Sequence, residues 1–186
     1  MNNKIKEFLK ELRVFGVAND VPNITDENAE FLQGIVRDIG AKNILEIGTA
    51  NGYSTICFAS ELTDTGGHIT SIEFSILSHN QAKANIIEAG VESYSTLIHG
   101  QALDIIPTLE DDCYDFVFID GMKRRSKDFL ELCWPKTKIG GTIIIDDVIK
   151  FKAKMVGLYE YLEEKGIEYE VLQIDIDDGI MRIIKK

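Results

Sequence analysis

The chain has 186 residues, which is long enough for one substantial hydrophobic core and too short for a cofactor domain followed by a separate catalytic domain. Its 20 basic and 31 acidic residues leave a net charge of −11, which disfavours broad non-specific binding to nucleic acid and to anionic membranes. Residues 1–10 alternate charged with apolar side chains, and no apolar run approaches the length of a membrane span, so we expect a cytoplasmic protein without membrane attachment.

The first 40 residues are predicted to form two amphipathic helices. In the first helix, apolar side chains recur at helical spacing, namely Ile5, Phe8, Leu9 and Leu12. The second helix covers residues 25–39 and places its apolar side chains on one face. Thr25 or Asp26 can cap its start, because a short side chain with an oxygen atom accepts a hydrogen bond from a free amide of the first turn.

From residue 41 onward, short apolar segments alternate with helical ones, which predicts a parallel sheet whose crossover connections are helices. Five strands are predicted in this region, at residues 43–47, 68–72, 94–98, 114–119 and 142–145. Residues 169–174 and 180–184 are predicted to pair antiparallel, because the connection between them is too short for a crossover helix. We therefore expect a single α/β domain over residues 1–186. Helices over residues 1–40 precede a core over residues 41–186. This core has a seven-stranded, mainly parallel sheet with one antiparallel strand and with helices on both faces.

A glycine-containing turn follows the first predicted strand and precedes a helix. At Gly48 and Gly52 the absence of Cβ lets the backbone approach a ligand closely, and the amides at the helix N-terminus favour a carboxylate. Glu73 ends the next predicted strand, where an acidic residue of a βαβ unit can accept hydrogen bonds from both ribose hydroxyls of a nucleotide. The NAD-binding fingerprint needs glycine where this chain has Ala50, so a dehydrogenase is disfavoured.

Residues 43–55, Asn-Ile-Leu-Glu-Ile-Gly-Thr-Ala-Asn-Gly-Tyr-Ser-Thr, resemble the first motif of the catechol O-methyltransferase-like family. Residues 100–107 resemble the adenine-side segment of that family, residues 115–120 resemble its fourth strand, and the resemblance as a whole covers residues 20–186. Bacterial O-methyltransferase family 3 belongs to the same group. The resemblance implies a Rossmann-like class I methyltransferase fold, and an O-methyltransferase that uses S-adenosyl-L-methionine (SAM) as its methyl donor.

The same resemblance assigns ten residues to the cofactor site: Glu46, Gly48, Ala50, Gly52, Tyr53, Ser54, Glu73, Gln101, Ala102 and Asp120. The glycine turn and Ser54 would hold the methionine part of SAM, Glu73 would hold the ribose, and Gln101 with Ala102 would contact the adenine edge. Gln101 departs from the family pattern, because many relatives carry aspartate there. An amide both donates and accepts hydrogen bonds, whereas a carboxylate only accepts them.

Three aspartates follow predicted parallel strands, Asp120 at the end of the fourth and Asp146 with Asp147 at the end of the fifth. The carboxyl ends of neighbouring parallel strands meet in one crevice, so we expect the three carboxylates to converge. Three hard oxygen donors without nearby cysteine or histidine suit Mg²⁺, or Ca²⁺ or Mn²⁺. The family usually ends the fifth strand in Asp-Asn, so Asp147 is a departure that adds negative charge.

Lys123 follows Asp120 by three residues, which matches the Asp-x-x-Lys pattern of the family. In that pattern the aspartate ligates the metal ion and the lysine is the general base, so the resemblance makes Asp120 and Lys123 the catalytic pair. The ion would bind an acceptor hydroxyl and lower its pKa, and Lys123 would remove the proton.

Three interpretations of the acceptor stay open. The first is a small catechol-like or otherwise hydroxylated compound. The second is a tRNA uridine, because basic runs at residues 123–127 and 150–154 flank the predicted metal site, and because the chain also resembles bacterial tRNA 5-hydroxyuridine O-methyltransferases, including residues 176–179. The third is a SAM-binding protein without catalysis. For the opening helix, with Phe8 and Phe15, two interpretations stay open: a homodimer contact or a cap over the pocket.

Overall fold

The computed structural model describes residues 3–176 and 178–186. The α-helices of these residues are α1 (Asn3–Ala18), α2 (Asp26–Asp38), α3 (Tyr53–Leu62), α4 (Ile76–Ala89), α5 (Ala102–Ile105), α6 (Ser126–Cys133) and α7 (Val156–Lys165). Short 3₁₀ turns lie at Glu92–Tyr94, Ile106–Thr108, Lys123–Arg125 and Lys152–Lys154. No described helix combines the length and the apolar character that a membrane crossing requires.

The described strands form one seven-stranded sheet in the order β3-β2-β1-β4-β5-β7-β6. Their bounds are β1 (Asn43–Ile47), β2 (His68–Glu73), β3 (Ser95–His99), β4 (Tyr114–Ile119), β5 (Thr137–Ile145), β6 (Glu170–Leu172) and β7 (Ile180–Ile184). Strands β1 to β5 pair in parallel, whereas β7 is antiparallel to both β5 and β6. The predicted mainly parallel sheet with one reversed strand is therefore confirmed.

Two strands differ in length from the sequence prediction. Strand β5 begins at Thr137 and runs through Gly140 and Gly141, which the prediction missed because glycine is a poor strand former. Strand β6 is shorter than predicted, and it lies at the edge of the sheet with β7 as its neighbour. The connection 175–179 that joins β6 to β7 includes Asp177, which lies outside the described residues.

The side chains of β4 alternate between two hydrophobic clusters, one on each face of the sheet. Phe116 and Phe118 point to the face covered by α1 to α4, where each packs edge-on against Phe58, with ring centroids 5.5 and 5.4 Å apart. Val117 and Ile119 belong to the other cluster, which contains buried side chains of α6 and α7. Because both faces are covered, the central strands are apolar on both sides and exclude water from the sheet.

The order of the strands reverses at β1, which has β2 on one side and β4 on the other. In an open parallel sheet, such a reversal leaves a crevice beyond the carboxyl ends of the strands, and ligands bind there. The strand ends are tied together, because the Asp120 amide donates to the Ile47 carbonyl at 2.9 Å and the Asp146 amide donates to the Ile119 carbonyl at 3.1 Å. The residues that follow β1, β4 and β5 therefore meet at one place.

The N-terminal helices are fixed to the start of α3 by polar contacts. Thr25 caps α2, as predicted, by accepting a hydrogen bond from the Asn28 amide at 3.2 Å. The Tyr53 hydroxyl donates to the Asp26 carboxylate at 2.6 Å, and the Arg13 guanidinium lies 4.5 Å from the centre of the Tyr53 ring. Arg13 also pairs with Asp26 at 3.0 Å. These contacts hold the connection between α1 and α2 at the edge of the crevice.

Candidate active site

A cavity of about 1230 Å³ opens at the carboxyl ends of the strands. It exceeds the roughly 300–1,000 Å³ of ordinary small-molecule pockets, so it has room for a cofactor and a second molecule. Among the residues that line it are these predicted site residues: Gly48, Ala50, Ser54, Glu73, Gln101, Ala102, Asp120, Lys123, Asp146 and Asp147. Three predicted cofactor residues, Glu46, Gly52 and Tyr53, are not among the lining residues.

The two glycines of the turn have different tasks. Gly48 has a φ of 97°, and a Cβ atom at this position would lie 2.6 Å from the Asp120 carbonyl oxygen. Gly48 is therefore required where the turn passes the end of β4. Gly52 has a φ of 89°, and its Cβ would lie 3.3 Å from Ala82 in α4. Gly52 thus allows close packing of the turn on α4 instead of contacting the cavity.

Glu73 holds the glycine turn by its backbone. One carboxylate oxygen of Glu73 accepts hydrogen bonds from the amides of Thr49 at 3.0 Å and Ala50 at 2.9 Å, and the other accepts from the Ser75 amide at 2.7 Å. The amides of Gly48 and Gly52 donate to other backbone carbonyls. Four of the amides that were expected to bind a carboxylate are therefore already engaged within the chain.

Glu46 is fully buried beneath the turn, and its carboxylate accepts three hydroxyl hydrogen bonds. Ser54 donates to one oxygen at 2.6 Å, while Thr55 and Ser71 each donate to the other at 2.5 Å. Burial raises the pKa of Glu46 to about 7, and the three hydroxyl groups oppose this increase. Glu46 supports the turn from below, which is why this predicted cofactor residue has no surface in the cavity.

The adenine side of the predicted site lies at the start of α5. Gln101 precedes α5 and makes no side-chain capping hydrogen bond, and both Gln101 and Ala102 line the cavity. Phe74, which follows β2, is 65% exposed and also lines the cavity. Phe74 is not among the predicted site residues, although an aromatic residue directly after the predicted ribose-binding glutamate is a visible signal.

The three predicted aspartates do converge at the other end of the cavity. One carboxylate oxygen from each of Asp120, Asp146 and Asp147 lies within 4.8 Å of the others. The Lys123 ammonium group lies among them, 2.5 Å from Asp120 Oδ1 and 2.7 Å from Asp147 Oδ2. Asp146 is buried, and its Oδ1 atom has no hydrogen-bond partner among the described residues. One ammonium group therefore faces three carboxylates.

Burial and charge shift the pKa values of this cluster. Burial, together with the negative charge of Asp120, raises the pKa of Asp146 well above its ordinary value. Burial alone would lower the pKa of Lys123, but the carboxylates of Asp120 and Asp147 outweigh it and raise that pKa. Lys123 is thus a firmly protonated cation here, whereas the predicted general base would need a lowered pKa.

Asp147 has a left-handed backbone conformation, with a φ of 63°. Asparagine and aspartate tolerate this conformation better than most residues, because their short side chains can form hydrogen bonds locally. Either residue at position 147 would therefore suit the backbone. The distinctive effect of aspartate is its charge, which forms the second ion pair with Lys123.

A family model described as O-methyltransferase matches residues 2–185. The chain belongs to the O-methyltransferase family. The predicted resemblance to class I SAM-dependent O-methyltransferases is thereby confirmed. The O-methyltransferase from Bacillus cereus, solved in complex with SAH, has a TM-score of 0.84 and 29% sequence identity to this chain, and the superposition covers 96% of this chain and 91% of the Bacillus protein.

Two curated relatives are similar in sequence. Catechol O-methyltransferase of Mycobacterium tuberculosis is 31% identical over 135 residues, or 72% of this chain. The chain spans 61% of the length of that relative. Tapetum-specific methyltransferase 1 of Arabidopsis thaliana is also 31% identical, over 94% of this chain and 84% of its own length.

The mouth of the cavity is basic. Of the two basic runs seen in the sequence, five side chains line the cavity: Lys123, Arg124, Arg125, Lys150 and Lys154. Lys127 instead approaches Glu131 at 3.6 Å, and Lys152 lies 5.2 Å from the Tyr159 ring centre, so these two are directed to neighbouring helical surface. Phe151 also lines the cavity, and the Lys154 ammonium lies 4.4 Å from the centre of its ring.

The closing hairpin connection holds the segment after β5 at the mouth of the cavity. Asp178 Oδ1 accepts hydrogen bonds from the amides of Ile149 and Lys150, both at 3.0 Å, and the Val148 amide donates to the Gly179 carbonyl at 2.9 Å. Asp175 accepts a hydrogen bond from Thr25 at 2.7 Å, which links the hairpin to the N-terminal wall of the cavity. The hairpin is predicted from the sequence, but these contacts are not, because they join segments far apart in the chain.

Residues 20–25 and Asn28 also line the cavity, and none of them is among the predicted site residues. The segment between α1 and α2 forms a wall beside the glycine turn. Its sequence, Asp-Val-Pro-Asn-Ile-Thr, carries no motif that indicates a ligand. Its position depends on how α1 and α2 pack on α3, which local spacing in the sequence does not reveal.

Proposed function

We propose that the protein transfers a methyl group from SAM to a hydroxyl group of a small catechol-like or otherwise hydroxylated acceptor, and that it needs a divalent metal ion. The observation that carries the proposal is the shared cavity. The glycine turn with Glu73 lines one end, the aspartate cluster lines the other, and Gly48 abuts the Asp120 backbone between them. A donor and an acceptor bound at these two ends would be adjacent, which is the main requirement of a direct transfer.

The donor end suits the adenosine part of SAM. Glu73 ends β2 with its carboxylate at the cavity, where it can accept hydrogen bonds from ribose hydroxyls while it keeps its bonds to the turn. Gln101 and Ala102 would contact the adenine edge, and Phe74 offers an exposed aromatic face beside them. The relative from Bacillus cereus, whose structure contains SAH, supports this assignment.

The aspartate cluster suits a hard divalent cation. Its donors are all carboxylate oxygens, they lie within 4.8 Å of one another, and Asp146 Oδ1 is buried without a partner among the described residues. Asp120, Asp146 and Asp147 would hold the ion, with Mg²⁺ as the first choice and Ca²⁺ or Mn²⁺ as alternatives. When bound, such an ion would polarise the acceptor hydroxyl and lower the pKa of both that hydroxyl and Lys123.

Lys123 would have two tasks. As an ammonium group it neutralises part of the charge of Asp120 and Asp147. To accept the proton of an acceptor hydroxyl, its Nζ atom must first lose the proton that these ion pairs stabilise. We therefore propose Lys123 as the general base only when a divalent ion, bound by the aspartates, offsets the negative charge of the carboxylates.

A tRNA uridine is a second candidate acceptor. The observation in its favour is the group of basic side chains at the mouth of the cavity, in particular Arg124, Lys150 and Lys154. Lysine and arginine contacts to phosphates weaken steeply as the salt concentration rises. Salt-sensitive binding of tRNA together with methylation of a uridine hydroxyl would favour this acceptor over a small compound.

The test is a methyl-transfer assay with labelled SAM. The protein is incubated with a panel of catechols or with bulk tRNA, in Mg²⁺ or in excess chelator. We expect transfer that stops in chelator and falls by about 10²-fold or more in Asp120→Ala, because both the metal site and the partner of Lys123 are lost. Asp64→Asn is the matched control, because Asp64 is exposed and does not line the cavity.

Two results would contradict the proposal. Full activity in chelator, or in Asp120→Ala, would exclude the metal-dependent mechanism. Binding of SAM without turnover of any hydroxylated acceptor would favour the third interpretation, a SAM-binding protein without catalysis.

A further inference from the structure

Three basic side chains at the mouth of the cavity have no partner of opposite charge. Arg124, Lys150 and Lys154 are exposed, and all three line the cavity. None of them forms an ion pair with a carboxylate of the described residues. Positive charges gathered at the entrance of a cavity repel one another and attract an anion that enters it. The mouth therefore suits a negatively charged molecule.

The neighbouring basic side chains are neutralised within the chain. Arg125 pairs with Asp128 at 2.8 Å, and Lys127 approaches Glu131 at 3.6 Å. The unpaired positive charge of this run is therefore confined to the mouth and does not continue along α6. A nucleic-acid backbone requires a long track of unpaired basic groups, whereas a small anion requires only a few. The distribution of charge favours a small anion.

The mouth also exposes apolar surface beside these charges. Met122 is 67% exposed, the side chain of Phe151 is half-buried, and both residues line the cavity. The ammonium groups of Lys150 and Lys154 lie 5.7 and 4.4 Å from the centre of the Phe151 ring. An anion that pairs with these lysines would therefore lie next to an aromatic surface. An aromatic carboxylate matches both features, because its ring is flat and apolar and its charge lies at one edge.

The backbone that carries the two lysines is fixed by hydrogen bonds. Asp178 Oδ1 accepts a hydrogen bond from the Lys150 amide at 3.0 Å. The Phe151 amide donates to the Asp147 carbonyl at 3.2 Å, and the Lys154 amide donates to the Phe151 carbonyl at 2.8 Å. Because the backbone is ordered without a ligand, binding would cost only the ordering of side chains.

The basic groups lie close to the aspartate cluster. Lys150 follows Asp147 by three residues, which limits the separation of their Cα atoms to about 11 Å. Arg124 directly follows Lys123, whose ammonium group lies 2.7 Å from Asp147 Oδ2. One small compound can therefore place a hydroxyl group at the aspartate cluster and an anionic group at the mouth.

We propose that the acceptor is a hydroxylated aromatic compound with a carboxylate, and that Arg124, Lys150 and Lys154 recognise this carboxylate. Met122 and Phe151 contact the ring of the acceptor. The inference rests on the proposed methyl transfer and adds the class of substrate. The basic mouth determines which hydroxylated compound is accepted, and it takes no part in the transfer of the methyl group.

The test compares two acceptors that differ in one charge, namely protocatechuate, which is a catechol with a carboxylate, and the neutral amide of the same compound. We expect kcat/KM of the unchanged protein to be about tenfold higher for protocatechuate, which is the combined effect of three exposed charge pairs. In the double variant Lys150→Gln, Lys154→Gln one charge pair remains, so the ratio should fall to about twofold. The value for the amide should change by less than about threefold.

Reversal of the charge gives a sharper test. The double variant Lys150→Glu, Lys154→Glu should prefer the amide, because the new carboxylates repel protocatechuate. Lys152→Glu is the matched control, because Lys152 belongs to the same basic run but lies near the Tyr159 ring and does not line the cavity. This control should keep the preference for protocatechuate. A merely structural role for the lysines would change the values for both acceptors alike.

The outcomes separate this inference from the proposed function. If both compounds are methylated equally well, the proposed function stands and the inference is overturned. A preference for protocatechuate that survives in the Lys150→Glu, Lys154→Glu variant also overturns it, because other residues then recognise the carboxylate. Methylation of tRNA without a preference between the two compounds would assign the basic mouth to phosphates and overturn it as well.

If neither compound nor tRNA is methylated, the proposed function is wrong, and binding still decides the inference. Calorimetry of the two compounds in the presence of S-adenosylhomocysteine then provides the comparison. Tighter binding of protocatechuate than of its amide would support recognition of the carboxylate at the mouth, and equal binding would overturn it.

Discussion

The two ends of the cavity differ in how far the chain satisfies its own charges. At the cofactor end, Glu46 accepts three hydroxyl hydrogen bonds and Glu73 accepts three backbone amides. At the other end, the Lys123 ammonium group pairs with Asp120 and Asp147, and Asp146 Oδ1 has no hydrogen-bond partner among the described residues. The cofactor end is held in shape without a ligand, whereas the aspartate end lacks positive charge.

The largest expected effect is the contribution of Glu46 to the pH dependence of the free energy of unfolding. Its pKa of about 7 lies above the ordinary value of 4.5, so the folded state prefers the protonated form. This stabilisation is fully present below pH 4.5 and is lost as the pH rises through 7. At 1.36 kcal/mol per pKa unit, the loss is about 3 kcal/mol in the free energy of unfolding.

Glu46→Gln should remove that part of the pH dependence. The measurement is urea unfolding of both proteins at several pH values between 4.5 and 8, and the informative quantity is the difference between them, since other groups titrate in both. An identical pH profile for the two proteins would mean that the pKa of Glu46 is not raised in the folded state.

The next effect concerns the aspartate end, where Lys123 occupies the region that a divalent ion would need. Lys123→Met removes the competing ammonium and leaves three carboxylates, so the affinity for Mn²⁺ or Mg²⁺ should rise by about tenfold in calorimetry of chelator-treated protein. The metal-free variant should also unfold at a lower urea concentration, because its carboxylates repel one another.

Lys127→Met is the control for this prediction. Lys127 belongs to the same basic run, but it approaches Glu131 and does not line the cavity. Equal affinities for Mn²⁺ in the Lys123→Met and Lys127→Met variants would show that the ammonium group does not compete with a metal ion.

The smallest expected effect lies at the mouth of the cavity. Lys150 and Lys154 are exposed there, and charges in water contribute little to the binding of a small neutral compound. Changing both to alanine should alter the KM for a neutral catechol by less than about threefold. If tRNA is the acceptor, the same double variant should weaken tRNA binding much more at low salt, and the dependence on salt should become shallower.

The parts of the fold that were predicted correctly depend on local patterns. The turn at Gly48, the strand ends at Asp120 and Asp146, and the cap at Thr25 each follow from a few neighbouring residues. The convergence of the three aspartates was also predicted correctly, because neighbouring parallel strands bring their carboxyl ends together.

The parts that were missed depend on contacts between distant segments. Glu46 looked like a cofactor residue because it belongs to the glycine motif, yet β2 and α3 supply hydroxyl groups that enclose it. Gly52 looked like a ligand contact, yet it is the approach of Ala82 in α4 that requires glycine there. The role of Lys123 as an ammonium partner was also missed, because its pKa is set by Asp147 as well as by Asp120.

The contact between Gly48 and Asp120 has a consequence for how new substrate preferences could be selected. The two ends of the cavity touch through backbone atoms, with the Asp120 carbonyl oxygen 2.6 Å from where a Gly48 side chain would begin. A side chain introduced at position 48 would therefore displace the backbone at position 120, so a substitution here would change both ends of the cavity. A mutant library aimed at new acceptors should keep residues 48 and 120 constant and vary the outer wall instead, at Met122, Lys150 and Phe151.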